Sequence, residues 1–249
     1  MDILIRRRVR ADIPVLELLD AAGERRPLVL LYHGYLNRKD FMLNQAYFLA
    51  SQGFAVAVPD AWGHGERAVE GFPDFFTSVL RTADEIDALI ELYRDEPLVD
   101  AQRVGLTGYS MGGCIAYEYC ARPGRRVQAA VPFIATPDWA SLMSAPGTGQ
   151  EFLKTGLIRS IEDMEQLVAL ALAVQPLNRK EHMANLPLLM LNGAMDPLMP
   201  VDSLQRFYEA VKPLYSRQED ISLCVYPGVG HTDNVEMNLQ MAAWFAKYL

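Results

Sequence analysis

Six short runs, apolar on most residues, alternate with longer stretches of mixed character, and this pattern sets the strongest limit on how the chain can fold. They cover residues 27–32, 54–59, 103–108, 127–134, 186–192 and 221–226. A run that is apolar throughout, rather than at every second position, suits a strand buried on both faces. The intervening stretches read as helices. Residues 75–94, for example, place Ile86, Leu89, Ile90 and Tyr93 at helical spacing. Two further strands fit residues 3–20 around Ala11-Asp12-Ile13-Pro14, and a last helix fits about 233–248. Strands alternating with helices imply an α/β fold, with a mostly parallel sheet and helices on both faces. Ligands of such sheets bind where the carboxyl ends of the strands open into loops.

The stretch 137–183 breaks the rhythm. It reads as helices without a strand and is expected to form a small helical cap over that edge, inserted into a single domain spanning 1–249 with its core in 1–136 and 184–249. A helical crossover packed on the sheet is the alternative.

With 249 residues and 51% hydrophobic content, the chain can fill one sizeable core. A formal charge of -8 argues against nucleic acid and anionic membranes as partners. The cysteines Cys114, Cys120 and Cys224 show no metal-ligand spacing and read as reduced thiols. Residues 1–8 carry their positive charge after the apolar residues, the wrong order for a secretory signal. No uncharged stretch approaches the ~20 residues that span a bilayer. A cytoplasmic protein is expected.

The chemistry concentrates at the ends of the apolar runs. Gly108-Tyr109-Ser110-Met111-Gly112-Gly113 joins a strand to a helix. A serine on such a turn stands clear of the backbone at the positive end of the helix. It is a nucleophile only if a base takes its proton. His231, in Gly230-His231-Thr232 after the last strand, can supply that base, since imidazole titrates near neutrality. Asp196, in the loop after the preceding strand, can orient the imidazole. Asp138 is a minor rival for this role, while Asp202 and Asp233 look like helix starts, where an aspartate usually caps. The order Ser110, Asp196, His231 is that of α/β-hydrolases. An oxyanion hole is expected from the backbone N–H groups of Met111 and Tyr35, the latter in the His33-Gly34-Tyr35 loop. His33 is expected to brace that loop.

Taken together, H-G-Y at 33–35, P-D-A-W-G-H-G-E at 59–66, G-Y-S-M-G-G at 108–113, N-G-A-M-D-P at 192–197 and G-V-G-H at 228–231 resemble the α/β-hydrolase superfamily over nearly the whole chain. In detail the chain resembles the single-domain serine esterases related to the prolyl-oligopeptidase and dienelactone-hydrolase branches. The resemblance implies an eight-stranded sheet, a working serine nucleophile, and neither metal nor organic cofactor. Serine stands where dienelactone hydrolases have cysteine, which points away from that particular chemistry. Asp60 and His64 belong to the matching loop, where a structural pin is the first reading and a substrate contact by His64 the second.

Trp62, Phe72, Phe75, Phe76, Trp139, Met143 and Phe152 crowd the expected rim. Core packing is the competing explanation for each. Trp62, Trp139 and Met143, with His64, are the candidate pocket residues. The expected function is hydrolysis of small carboxylic esters of short to medium acyl chain through an acyl-enzyme. A peptidase or amidase, a thioesterase and a non-catalytic binding protein are the alternatives. Whether the chain forms a homo-oligomer stays open.

Overall fold

The computed structural model describes residues 2–70, 74–144 and 161–249. Among them, eight strands form one sheet: β1 (Ile3–Arg10), β2 (Ile13–Asp20), β3 (Arg26–Tyr32), β4 (Ala55–Pro59), β5 (Val99–Tyr109), β6 (Ala129–Phe133), β7 (Leu188–Gly193) and β8 (Ile221–Tyr226). Their spatial order is β1-β2-β4-β3-β5-β6-β7-β8. β2 runs antiparallel to both its neighbours, and all other neighbours are parallel. The helices are α1 (Leu43–Ser51), α2 (Phe75–Leu92), α3 (Met111–Cys120), α4 (Trp139–Ser144), α5 (Ile161–Val174), α6 (Val201–Val211) and α7 (Val235–Tyr248).

The apolar runs become the buried strands because each feeds two cores at once. Along β3, Leu28, Leu30 and Tyr32 enter the core shared with α2, α3 and α6, while Val29 and Leu31 enter the core under α1 and α7. Alternate residues of a strand point to opposite faces, so both sets must be apolar. The edge strands differ accordingly: β1 is mostly exposed and β8 half-buried.

Three boundaries depart from the sequence expectation. β5 starts at Val99, because Val99 and Asp100 pair with Arg26 and Pro27 across a bulge, and this polar stretch carries no apolar run. The mixed stretch between β3 and β4, which reads as a helix, opens as a 3-10 turn, Lys39–Met42, before α1. The last helix starts at Val235, where the Asn234 side chain accepts from the Met237 N–H at 2.8 Å, so Asn234 and not Asp233 is its cap. The expected cap segment contains α4, α5 and the 3-10 stretch Pro176–Met183; its residues 145–160 lie outside the described residues, as do Phe72 and Phe152. No helix among the described residues is long and apolar enough to cross a membrane.

Candidate active site

β5 ends at Tyr109 and α3 begins at Met111, so Ser110 alone makes the turn. Its φ of 55° and ψ of -113° lie outside the regions open to most L-residues. Such a conformation persists only where the surroundings over-determine it. The glycines supply those surroundings. A Cβ on Gly108 would stand 2.4 Å from the Gly112 carbonyl carbon, one on Gly112 2.2 Å from the Tyr32 oxygen, and one on Gly113 2.5 Å from the Ala135 Cβ. α3 is therefore pressed against the ends of β3 and β6. The Ser110 N–H also donates to the Phe133 oxygen at 3.0 Å. Gly112→Ala is expected to cost about 3 kcal/mol of stability, because its neighbours are backbone atoms that cannot swing aside. An unchanged urea midpoint would contradict this.

The structure brings Ser110, His231 and Asp196 together in one hydrogen-bonded chain. The Nδ1 of His231 lies 2.8 Å from the Asp196 Oδ2, and its Nε2 lies 2.9 Å from the Ser110 Oγ. A carboxylate only accepts, so Nδ1 carries the hydrogen and the bare Nε2 accepts from the serine hydroxyl. The other Asp196 oxygen accepts from the Leu198 and Met199 N–H groups at 2.9 Å each, which fixes the carboxylate plane. The Asp196 side chain is fully buried and that of His231 is 20% exposed.

The loops that carry these two side chains are zipped together. The Ala194 N–H donates to the Tyr226 oxygen and the Met195 N–H to the Val229 oxygen, both at 2.9 Å. The close approach needs a glycine. A Cβ on Gly193 would lie 2.3 Å from the Val229 oxygen. The Asn192 Nδ2 binds the Gly193 and Met199 oxygens at 3.1 Å each and closes the aspartate loop on itself.

The His33-Gly34-Tyr35 loop passes beside the serine. A Cβ on Gly34 would lie 3.7 Å from the Ser110 Cβ. The Nε2 of His33 accepts from the Ala61 N–H at 3.0 Å, which leaves Nδ1–H to donate to the Gly34 oxygen at 2.8 Å. Burial holds this imidazole neutral, with its pKa lowered to about 4. Asp60 is buried and pins the next stretch. It accepts from the Lys39 Nζ at 2.7 Å, the Lys39 N–H at 2.8 Å and the Glu66 N–H at 3.0 Å. Burial alone would raise the Asp60 carboxyl, and these bonds bring it below the ordinary carboxylate range.

A cavity of about 600 Å³ opens over Ser110 and His231. Phe75, Phe76, Met143, Leu198 and Met199 are among its apolar lining residues. Of the four pocket candidates, Met143 lines it and the other three stand outside the lining. Trp139 is fully buried one layer behind, packed on Phe76 with ring centroids 5.0 Å apart. Trp62 lies under the Arg81 guanidinium, 4.4 Å from its ring centroid. His64 turns inward, its Nδ1–H donating to the Trp62 oxygen at 2.9 Å, and its ring meets Tyr35 edge-on. The rival acid Asp138 pairs with Arg206 at 3.3 Å, and Asp202 lies in the first turn of α6. Several lining residues, among them Gln45 and Asp233, carried no signal in sequence beyond their place in or before a helix. No group of three or more His, Cys, Asp or Glu residues suited to a metal occurs among the described residues.

The family model of the prolyl oligopeptidase family matches residues 39–249. The chain belongs to that family. YitV of Bacillus subtilis (strain 168), which carries an esterase name, is 29% identical to this family member over 265 residues, covering 99% of this chain and 100% of its own. The esterase YjfP of Escherichia coli (strain K12) is 26% identical over 263 residues, covering 98% and 99%. Among solved structures, TT1662 from Thermus thermophilus superimposes with a TM-score of 0.79 at 24% identity, covering 99% of this chain and 98% of its own. The fold is that of the α/β-hydrolases, and this prolyl oligopeptidase family member is a serine hydrolase.

Proposed function

We propose that the protein is an esterase that cleaves small carboxylic esters of short to medium acyl chain through an acyl-enzyme. The observation that carries this reading is the unbroken path from the Ser110 hydroxyl through His231 to the buried Asp196 carboxylate, opening on a cavity with apolar lining residues. The two full-length relatives with esterase names support it.

In the first half-reaction the Ser110 Oγ attacks the ester carbonyl carbon while its proton passes to the His231 Nε2. Asp196 stabilises the imidazolium. The negative oxygen of the tetrahedral intermediate takes hydrogen bonds from the Met111 and Tyr35 N–H groups. The carbon–oxygen bond to the alcohol then breaks, and His231 gives its proton to the leaving oxygen. In the second half-reaction water gives a proton to His231 and adds to the acyl carbon. Collapse returns a proton to the Ser110 Oγ and releases the acid.

The 137–183 segment acts as the cap in this reading, since Met143 of α4 reaches the cavity from it. A cavity of this size suits a small ligand. Across p-nitrophenyl acetate, butyrate, octanoate and palmitate, kcat/KM is expected to favour butyrate over palmitate by about tenfold or more. Preference for palmitate or for a long-chain triglyceride would overturn the chain-length reading. The family assignment favours amide cleavage as the second reading. The same steps would break an amide bond, and an aminoacyl p-nitroanilide assayed beside the butyrate ranks the two.

A further inference from the structure

The cavity side next to His231 holds a charge that the proton path does not use and that no basic side chain balances among the described residues. Asp233 is half-buried and lines the cavity two positions after the histidine. The helix start that its position suggests is capped by Asn234 instead. The Asp233 Oδ2 accepts from the Asn238 Nδ2 at 2.7 Å and from the Gln45 Nε2 at 3.4 Å, and the Tyr109 Oη lies 3.4 Å from it. Among the described residues its Oδ1 accepts nothing and no basic side chain pairs with it. A carboxylate offers about four acceptor positions, so most of this one is unused.

Gln45 adds a second unused acceptor. Its amide nitrogen faces Asp233, and its Oε1 is buried with no donor. Buried polar groups normally find partners, so the Gln45 Oε1 is unusual, while the Asp233 Oδ1 is open to the cavity side. The carboxylate is also held in place. Asn238, which donates to it, accepts from the Tyr109 Oη at 2.7 Å, and Tyr109 precedes the nucleophile. Among the described lining residues, Asp233 is the one acidic or basic side chain besides His231.

A carboxylate with free acceptor positions, approached on its other oxygen by the Gln45 amide, complements a cation that carries a hydrogen-bond donor. His231 must reach the oxygen of the departing alcohol, so the surface adjoining it meets the leaving group. We propose that Asp233, positioned by Gln45 and Asn238, selects substrates whose alcohol portion bears a protonated amine. This rests on the assignment of Ser110 and His231 above.

Two butyrates test it. 2-(Dimethylamino)ethyl butyrate is protonated at neutral pH, and 3-methylbutyl butyrate has the same heavy-atom shape without charge. Affinity is read first by NMR titration in the Ser110→Ala protein, where neither ester turns over. The amine ester is expected to bind about tenfold tighter than its carbon twin. The ratio is expected to fall to about one when Asp233→Asn is added, and about threefold with Gln45→Met. In enzyme with Ser110 intact, the kcat/KM ratio is expected to fall by the same factor on Asp233→Asn. Equal affinities in the Ser110→Ala protein, or a preference that survives Asp233→Asn, would overturn the proposal. Because binding is read without turnover, failure of the intact enzyme to cleave either ester would count against the esterase reading alone.

Discussion

Alanine at position 110 is expected to lower kcat/KM for a butyrate ester by on the order of 10⁴-fold or more. In the proposed mechanism the hydroxyl oxygen forms the bond to the acyl carbon, and it sits 2.9 Å from the nitrogen proposed to take its proton. What remains comes from the cavity and the backbone amides, which still bind and polarise an ester. The fold should be untouched, because the strained turn is held by the glycine contacts and by the Ser110 N–H, all of which alanine keeps. A circular dichroism spectrum and urea midpoint like those of the parent, beside lost turnover, would separate chemistry from folding. His231→Ala should lose a similar factor. The double variant should lose hardly more than either single one, since both groups serve one proton transfer. Turnover within tenfold of the parent in a folded Ser110→Ala protein would sink the assignment.

Asn at position 196 is expected to cost about 10³- to 10⁴-fold in kcat with little change in shape. The side-chain oxygen can still accept from Leu198 and Met199 at its present place. The amide nitrogen then faces the His231 Nδ1 as a donor, and the imidazole must present a bare nitrogen to it. The hydrogen moves to Nε2, the atom that has to accept from Ser110. The loss therefore comes from the wrong tautomer at intact geometry. Asp138→Asn is the matched control: its carboxylate faces Arg206, not the imidazole, so it should leave kcat nearly alone. A smaller loss for Asp196→Asn than for Asp138→Asn would reverse the assignment of the orienting acid.

The strands of the sheet centre were legible because burial on both faces demands uninterrupted apolar residues, as in Leu28-Val29-Leu30-Leu31. The polar start of β5 was not, because its pairing depends on a bulge opposite Pro27 that leaves no apolar pattern. That Ser110, Asp196 and His231 meet was legible because strand ends and chain order restrict such residues to few positions. The cavity walls were much less so. Trp139 and Met143 sit one turn apart on α4 and both are buried, yet only Met143 faces the cavity. Composition treats such neighbours alike, and only the packing of Phe76 against Trp139 separates them. Asp233 was misread by a single position, since Asn234 beside it is as good a helix cap.

Ser110, Asp196 and His231 hang from the ends of β5, β7 and β8, strands held in register by the ladder through β6. In the polypeptide between β6 and β7, Ile134 and Pro187 extend that ladder by one bond each, and among the described residues between them Met143 reaches the cavity. The hydrogen-bonded trio is thus held by the sheet, while one part of the cavity wall comes from a helix outside it. That intervening piece can be exchanged or resized over evolutionary time to admit new guests, while the proton route beneath keeps its dimensions.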